Sequence, residues 1–199
     1  MITDRMLAEA VRRSYQKATH RAGNAAFRVE RKSGTMVIAM PGTDDFIDGV
    51  MDLWVVPWRP CQLEAWVHRG FWIYTKKLIP RIMDVMRLRP SPTLHLCGHS
   101  LGGAAAIITA GVLYKNGIEV ASLTTFGAPP TGGAGLAALV KNIPGKRYIT
   151  KNDPVAGALI DWLLPTFDYD RPANVLRDMP GFDHFIDSYI AALDLEESK

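Results

Sequence analysis

Ser100 lies in Gly98-His99-Ser100-Leu101-Gly102-Gly103, where an apolar strand-like run, Thr93 to Cys97, passes into a helix-like run rich in Gly and Ala, Leu101 to Tyr114. A G-x-S-x-G segment between a strand and a helix is a sharp turn that lifts a hydroxyl clear of the backbone. The turn is so tight that helix and strand backbones nearly touch, and side chains at Gly98 and Gly102 would collide there. Ser100 is then held in a strained conformation, its hydroxyl above the positive N-terminal end of the helix. The backbone N–H of Leu101 points to where negative charge would develop on an attacked carbonyl oxygen. This is the chemistry of an alcohol nucleophile. A chance match in a chain with 17 glycines is the rival account, and the flanking strand and helix argue against it.

A serine hydroxyl is a weak nucleophile and needs a base that is itself oriented by an acid. On such an elbow the chain order is serine, acid, histidine. His20, His68, His95 and His99 all precede Ser100, so His184 is the candidate base by elimination. The acid must then come from Glu119, Asp153, Asp161, Asp168, Asp170, Asp178 or Asp183. Glu119 opens a strand, far from the elbow, and Asp183 would have to fold back on its neighbour. Asp153 directly follows the strand-like Arg147 to Thr150, and parallel sheets gather functional groups at the carboxyl ends of their strands. It is the best placed, with Asp161, a polar break in an apolar stretch, as the runner-up. A second oxyanion donor is expected from Thr43, because the strand Thr35 to Met40 ends in Pro41-Gly42-Thr43 and the loop leaving the sheet can aim that N–H at the same point.

These groups need a frame. Residues 4–19 carry apolar positions at helical spacing (Leu7, Ala10, Val11, Tyr15, Ala18), and Ala26–Glu30 and Thr35–Met40 read as strands joined at Ser33-Gly34. Residues 71–87 read as one long helix with Ile73, Leu78, Ile79, Ile82, Val85 and Met86 on its apolar face. After the Leu101–Tyr114 helix, stopped at Asn116-Gly117, come strand Val120–Phe126, a short helix near Leu136–Val140 and strand Arg147–Thr150. Strands alternating with helices imply an α/β fold with a mostly parallel sheet flanked by helices.

Composition sets the outer bounds. The chain has 199 residues, 48% hydrophobic and 22% charged, with 23 Lys+Arg against 20 Asp+Glu, a net +3. That excludes a disordered chain and is consistent with a single domain over residues 1–199. The small, scattered charge gives no reason to expect nucleic acid. Cys61 and Cys97 are no disulfide framework, and Cys97, at the end of an apolar run, reads as a buried thiol. His95-x-Cys97-x-His99 superficially looks like a metal cluster, but alternate residues of one strand explain it, and no metal or cofactor is expected. The first residues lack the apolar core of a secretory signal. The longest nearly apolar run, Leu101–Tyr114, has 14 residues, short of the roughly 18 of a transmembrane helix. The expected location is cytoplasmic, with secretion by another route left open.

From about residue 35 to 190 the chain resembles the fungal-type (class 3) lipases, a branch of the α/β-hydrolases. The likeness rests on Gly42-Thr43 followed by Asp48 and Asp52, on Val67-His68-Arg69-Gly70-Phe71, and most specifically on Gly98-His99-Ser100-Leu101-Gly102-Gly103-Ala104. Thr125-Phe126-Gly127-Ala128-Pro129 and Asn152-Asp153-Pro154-Val155 extend it. The resemblance implies an α/β-hydrolase fold with a minimal cap, a triad of Ser100, Asp153 and His184, oxyanion donors Thr43 and Leu101, and a structural His68. The sequence departs from the family pattern at Pro41, Gly49, Pro130, Gly133 and Ala156, positions of the pocket rim and loops rather than of the chemistry.

The expected activity is that of a cofactor-independent lipase or esterase acting on a small ester or lipid, including at a lipid–water interface. A phospholipase A1, thioesterase or acyltransferase would use the same triad. A catalytically silent binding module is the rival of another class, and a complete candidate triad argues against it. Residues 44–54 place Ile47, Val50, Met51 and Trp54 on one helical face and Asp44, Asp45, Asp48 and Asp52 on the other. They fit either a short lid or a helix packed on the core. Trp54, Trp58, Trp66 and Leu159–Leu164 are candidates for the walls of an acyl pocket.

Overall fold

Central strands of a sheet covered on both faces must be apolar at successive positions, not alternate ones, and Thr35–Met40 is such a strand. In the computed structural model, which describes residues 2–43, 56–88, 93–150, 153, 155, 173–176 and 184–197, Met36, Ile38 and Met40 face one hydrophobic cluster and Val37 and Ala39 the other.

The chain opens with α1 (Asp4–Gln16), capped by Thr3, whose hydroxyl accepts from the Met6 N–H at 3.2 Å. Three strands follow, β1 (His20–Ala22), β2 (Ala25–Lys32) and β3 (Thr35–Met40), the last two joined through Ser33 and Gly34, both at positive φ. Next come the short pair β4 (Pro57–Trp58) and β5 (Val67–His68), then α2 (Arg69–Thr75), α3 (Ile79–Leu88) and β6 (Thr93–His99). The remainder is α4 (Leu101–Lys115), β7 (Ser122–Phe126), α5 (Ala134–Val140), β8 (Arg147–Thr150), β9 (Ala173–Leu176) and α6 (Ile186–Glu197). Among the described residues seven strands form one sheet in the order β1-β2-β3-β6-β7-β8-β9. The first three pair antiparallel and every later pair is parallel, so the sheet is mostly parallel, as expected.

α2 to α5 cover one face of the sheet and α1 with α6 the other. α4 is apolar all round and is buried from Leu101 through Leu113, as a helix wedged between sheet and outer helices must be. α1 is fixed from the opposite side, where the Arg13 guanidinium donates to both oxygens of Glu30 at 2.8 and 2.9 Å.

Two sequence expectations are corrected. The long helix over 71–87 is two helices, α2 and α3, separated by a turn in which Lys77 and Leu78 donate to carbonyls three residues back. Pro80 explains the break, since in an unbroken helix its ring would clash with the Lys76 carbonyl and it has no N–H to offer. The first helix stops at Gln16, because the chain beyond Lys17 is drawn into β1 and its pairing with β2. β1, β4, β5, β9 and α6 were not anticipated. The proposed lid 44–54, Leu159–Leu164 and the aspartates 161, 168, 170, 178 and 183 lie outside the described residues.

Candidate active site

β6 runs into the elbow, and Ser100 there has φ 55 and ψ −129, a conformation that costs a non-glycine residue of order 1–3 kcal/mol. Crowding imposes it. A Cβ on Gly98 would sit 2.2 Å from the Gly102 carbonyl oxygen, and one on Gly102 would sit 2.2 Å from that of Met40. The first turn of α4 is therefore pressed against the ends of both β6 and β3, which is the collision expected of these two glycines. Leu101 follows as the first helical residue, one of those whose N–H lacks an intrahelical acceptor.

Three predicted residues from distant parts of the chain come together. His184 Nε2 lies 2.8 Å from Ser100 Oγ, and His184 Nδ1 lies 2.8 and 2.9 Å from the two carboxylate oxygens of Asp153. A carboxylate can only accept, so Nδ1 carries the proton and Nε2 is left to accept from the serine hydroxyl. All three are buried. Asp153 also accepts from the Val155 N–H at 2.8 Å and from the Tyr189 hydroxyl at 2.5 Å. These donors compensate for removing the carboxylate from water. Burial and the Asp153 charge push the Tyr189 phenol well above its ordinary pKa, keeping it a donor.

Thr43 follows Gly42, which is packed so closely that a Cβ on it would lie 2.9 Å from Ser100 Cβ. Tyr15 of α1 holds this loop, its hydroxyl accepting from the Gly42 N–H at 2.8 Å and standing 2.6 Å from His99 Nδ1. With one proton and two lone pairs, the phenol can accept from Gly42 and donate to the Nδ1 of a neutral His99 at the same time. Burial, with His184 nearby, pushes the His99 pKa down to about 3, in agreement with that assignment. A cavity of about 310 Å³ opens over these groups, lined by Tyr15, Thr43, His99, Ser100, His184 and the exposed Phe185 among others.

Tyr15, Tyr189 and Gly127 were not singled out for the site by sequence reasoning. Tyr15 read only as part of a helix's apolar face. Gly127 has φ +56, and a Cβ there would meet Asp153 Oδ2 at 2.6 Å; its signal was its place at the end of a strand. Tyr189 had a weak signal, a phenol shortly after the only eligible histidine.

Other histidines have local partners. His68 caps α2, its Nδ1 accepting from the Gly70 and Phe71 N–H groups, and burial lowers its pKa to about 4. His95 Nδ1 lies 2.7 Å from the Ser122 hydroxyl. Cys97 is fully buried against the Leu7 carbonyl, and Cys61 is exposed, both as free thiols. Among the described residues no cluster suited to a metal ion is found. Trp58 and Trp66, candidates for an acyl-pocket wall, do not line the cavity above Ser100 and are about half exposed. Trp54 lies outside the described residues.

Comparison with known proteins agrees with this geometry. The chain is 31% identical over 126 residues to toxin TseL of Vibrio cholerae, a match covering 62% of this chain and 19% of that protein. It is 29% identical over 133 residues to the secreted mono- and diacylglycerol lipase A of Penicillium cyclopium, covering 64% of this chain and 44% of the relative. The matched stretches thus span less than half the length of these relatives. The Rhizomucor miehei lipase propeptide complex superposes with a TM-score of 0.69 at 21% identity, covering 87% of this chain and 66% of that one. The fold is accordingly that of the α/β-hydrolases. The family profile described as lipase (class 3) matches residues 37–160, from β3 through the elbow to beyond Asp153. With well over half its length matched, elbow included, the chain belongs to the class 3 lipase family.

Proposed function

We propose that the protein is a serine carboxylic-ester hydrolase, a lipase or esterase that cleaves acyl-glycerol-like esters without a cofactor. The supporting observation is the hydrogen-bonded line from Ser100 Oγ through His184 to Asp153, with 2.8 Å at each end.

In this reading Ser100 Oγ attacks the ester carbonyl as its proton passes to His184 Nε2. Asp153 holds the imidazole in the required tautomer and stabilises its cation. The oxygen of the tetrahedral intermediate is held by the backbone N–H groups of Leu101 and Thr43, while Gly98 and Gly102 allow the elbow to present the serine. The C–O bond to the leaving alcohol breaks as His184 returns the proton to it, leaving an acyl group on Ser100. Water then attacks that acyl group, with His184 again as base, and releases the fatty acid.

The test is hydrolysis of p-nitrophenyl esters together with labelling by a fluorophosphonate probe. The parent protein should turn over the ester and become labelled. Ser100→Ala should lose labelling and reduce turnover by roughly 10⁴–10⁶-fold. Unchanged turnover in that variant would remove Ser100 from the mechanism. The relatives include a mono- and diacylglycerol lipase, which makes partial glycerides the first natural substrates to try.

A further inference from the structure

Residues 56–88 hold six cations (Arg59, Arg69, Lys76, Lys77, Arg81, Arg87) and two anions (Glu64, Asp84), whereas the whole chain nets only +3. This stretch is thus one of the more basic parts of the chain. Both anions already face cations, Glu64 pairing with Lys115 and Asp84 lying 3.9 Å from Arg87. Arg69, Ile73 and Lys76 recur at helical spacing along the exposed side of α2, with Lys77 beside them. The Arg69 guanidinium lies 5.7 Å over the ring of Trp58, which is 46% exposed. Between the Trp58–Gln62 segment and α2 lies a recess of about 700 Å³, lined by Trp58, Arg59, Trp72, Lys76 and Lys77 among others, with no carboxylate among the described residues of its wall. Lys77 Nζ reaches Asn24 Oδ1 at 3.0 Å, a neutral partner that leaves its charge in place.

Cations around a recess call for an anion, while a half-exposed tryptophan and an exposed isoleucine beside them call for an apolar neighbour. A water-soluble anion supplies only the first. The surface of an anionic bilayer supplies both within a few ångströms, since indole rings favour the headgroup boundary and lysine and arginine are drawn to anionic leaflets. We propose that the α2 face docks the protein on bilayers rich in anionic glycerophospholipid. A lipid phosphate occupies the recess between Arg59, Lys76 and Lys77, and the Trp58 ring sits at the headgroup–acyl boundary. The inward side of α2 bears Tyr74, whose hydroxyl is 3.5 Å from the Pro41 carbonyl oxygen. The inward side of the docking helix thus touches the loop that leads to Thr43.

The test uses the Ser100→Ala protein, so that lipid is not consumed and the result does not depend on the hydrolase reading. Its co-sedimentation is measured with vesicles of equimolar phosphatidylcholine and phosphatidylserine and with vesicles of phosphatidylcholine alone. The expected result is binding to the mixed vesicles that added salt weakens and little binding to the neutral ones. Replacing Lys76 and Lys77 by Ser should weaken binding on the order of tenfold or more, and Trp58→Ser should weaken it further. Replacing the exposed Lys32 and Lys141 by Ser lowers the net charge equally and should leave binding nearly unchanged. Three results would each overturn the proposal: no binding by the parent, equal binding to both vesicle types, or equal losses in the two lysine pairs. The folding check is a thermal midpoint unchanged from that of the Ser100→Ala protein, and every side chain substituted in that background is exposed.

Discussion

Tyr15 shows how much can depend on one hydroxyl. It accepts from Gly42, which precedes the oxyanion candidate Thr43, and it contacts His99, which precedes the nucleophile. Tyr15→Phe keeps the ring and its packing but strips the Gly42 N–H and His99 Nδ1 of their common partner. Leaving such part-buried groups unsatisfied costs up to about 1–3 kcal/mol. The expected outcome is a kcat lowered by roughly ten- to a hundredfold with KM little changed, because in the proposed mechanism the loop carrying the oxyanion candidate loses its anchor. Steady-state kinetics on a soluble ester checks this, and a change confined to KM would contradict it. The nucleophile, base and acid candidates were legible because elbow spacing, chain order and strand ends constrain them. Tyr15 and Tyr189 were not, since a phenol on an amphipathic helix looks the same whether its hydroxyl meets solvent or a catalytic group.

Among the elements, α4 follows directly on the candidate nucleophile and is buried from Leu101 through Leu113, so its packing sets how firmly Ser100 is held. Ile107 is fully buried in it, and Ile107→Ala should lower stability by about 2–5 kcal/mol, measured by denaturant unfolding. A loss near zero would mean that the surrounding side chains collapse into the space, contrary to the close packing around this helix. Apolar runs with clear stops, such as α4 and β3, were readable because their patterns persist to their ends. The break between α2 and α3 was missed because Ile79 and Ile82 continue the apolar spacing across Pro80, and spacing alone does not report a missing N–H. β1 and the β4/β5 pair are too short for any periodicity to mark them. They exist through pairing with a neighbour, His20 with Phe27 and Trp58 with Val67.

At the scale of the molecule, the histidines act together. Burial, the leading cause at each, lowers the pKa of His20, His68, His95 and His99, to about 4 at His68 and about 3 at His99. A histidine that stays neutral when folded but takes a proton near its ordinary 6.5 when unfolded adds nothing above that pH. Below it the unfolded chain binds more protons and stability falls, until the folded group also titrates. The slope is at most about 1.4 kcal/mol per pH unit for each buried imidazole. His68 and His99 should dominate, since His20 and His95 are partly exposed and screened. The thermal midpoint should therefore hold above pH 6.5 and decline from there toward pH 4, and His68→Asn, which can still accept at the α2 cap, should flatten part of that decline. A midpoint indifferent to pH over this range would contradict the burial of these rings. The separation of Ser100 and His184 by 84 residues also matters while the chain is being made. At about 5–20 residues per second, the elbow leaves the ribosome several seconds or more before its base. Until α6 docks and brings His184 over the elbow, a nascent chain carries only an ordinary alcohol at Ser100. In the proposed mechanism the order of synthesis therefore delays the reactivity of Ser100 until the C-terminal part of the fold is in place.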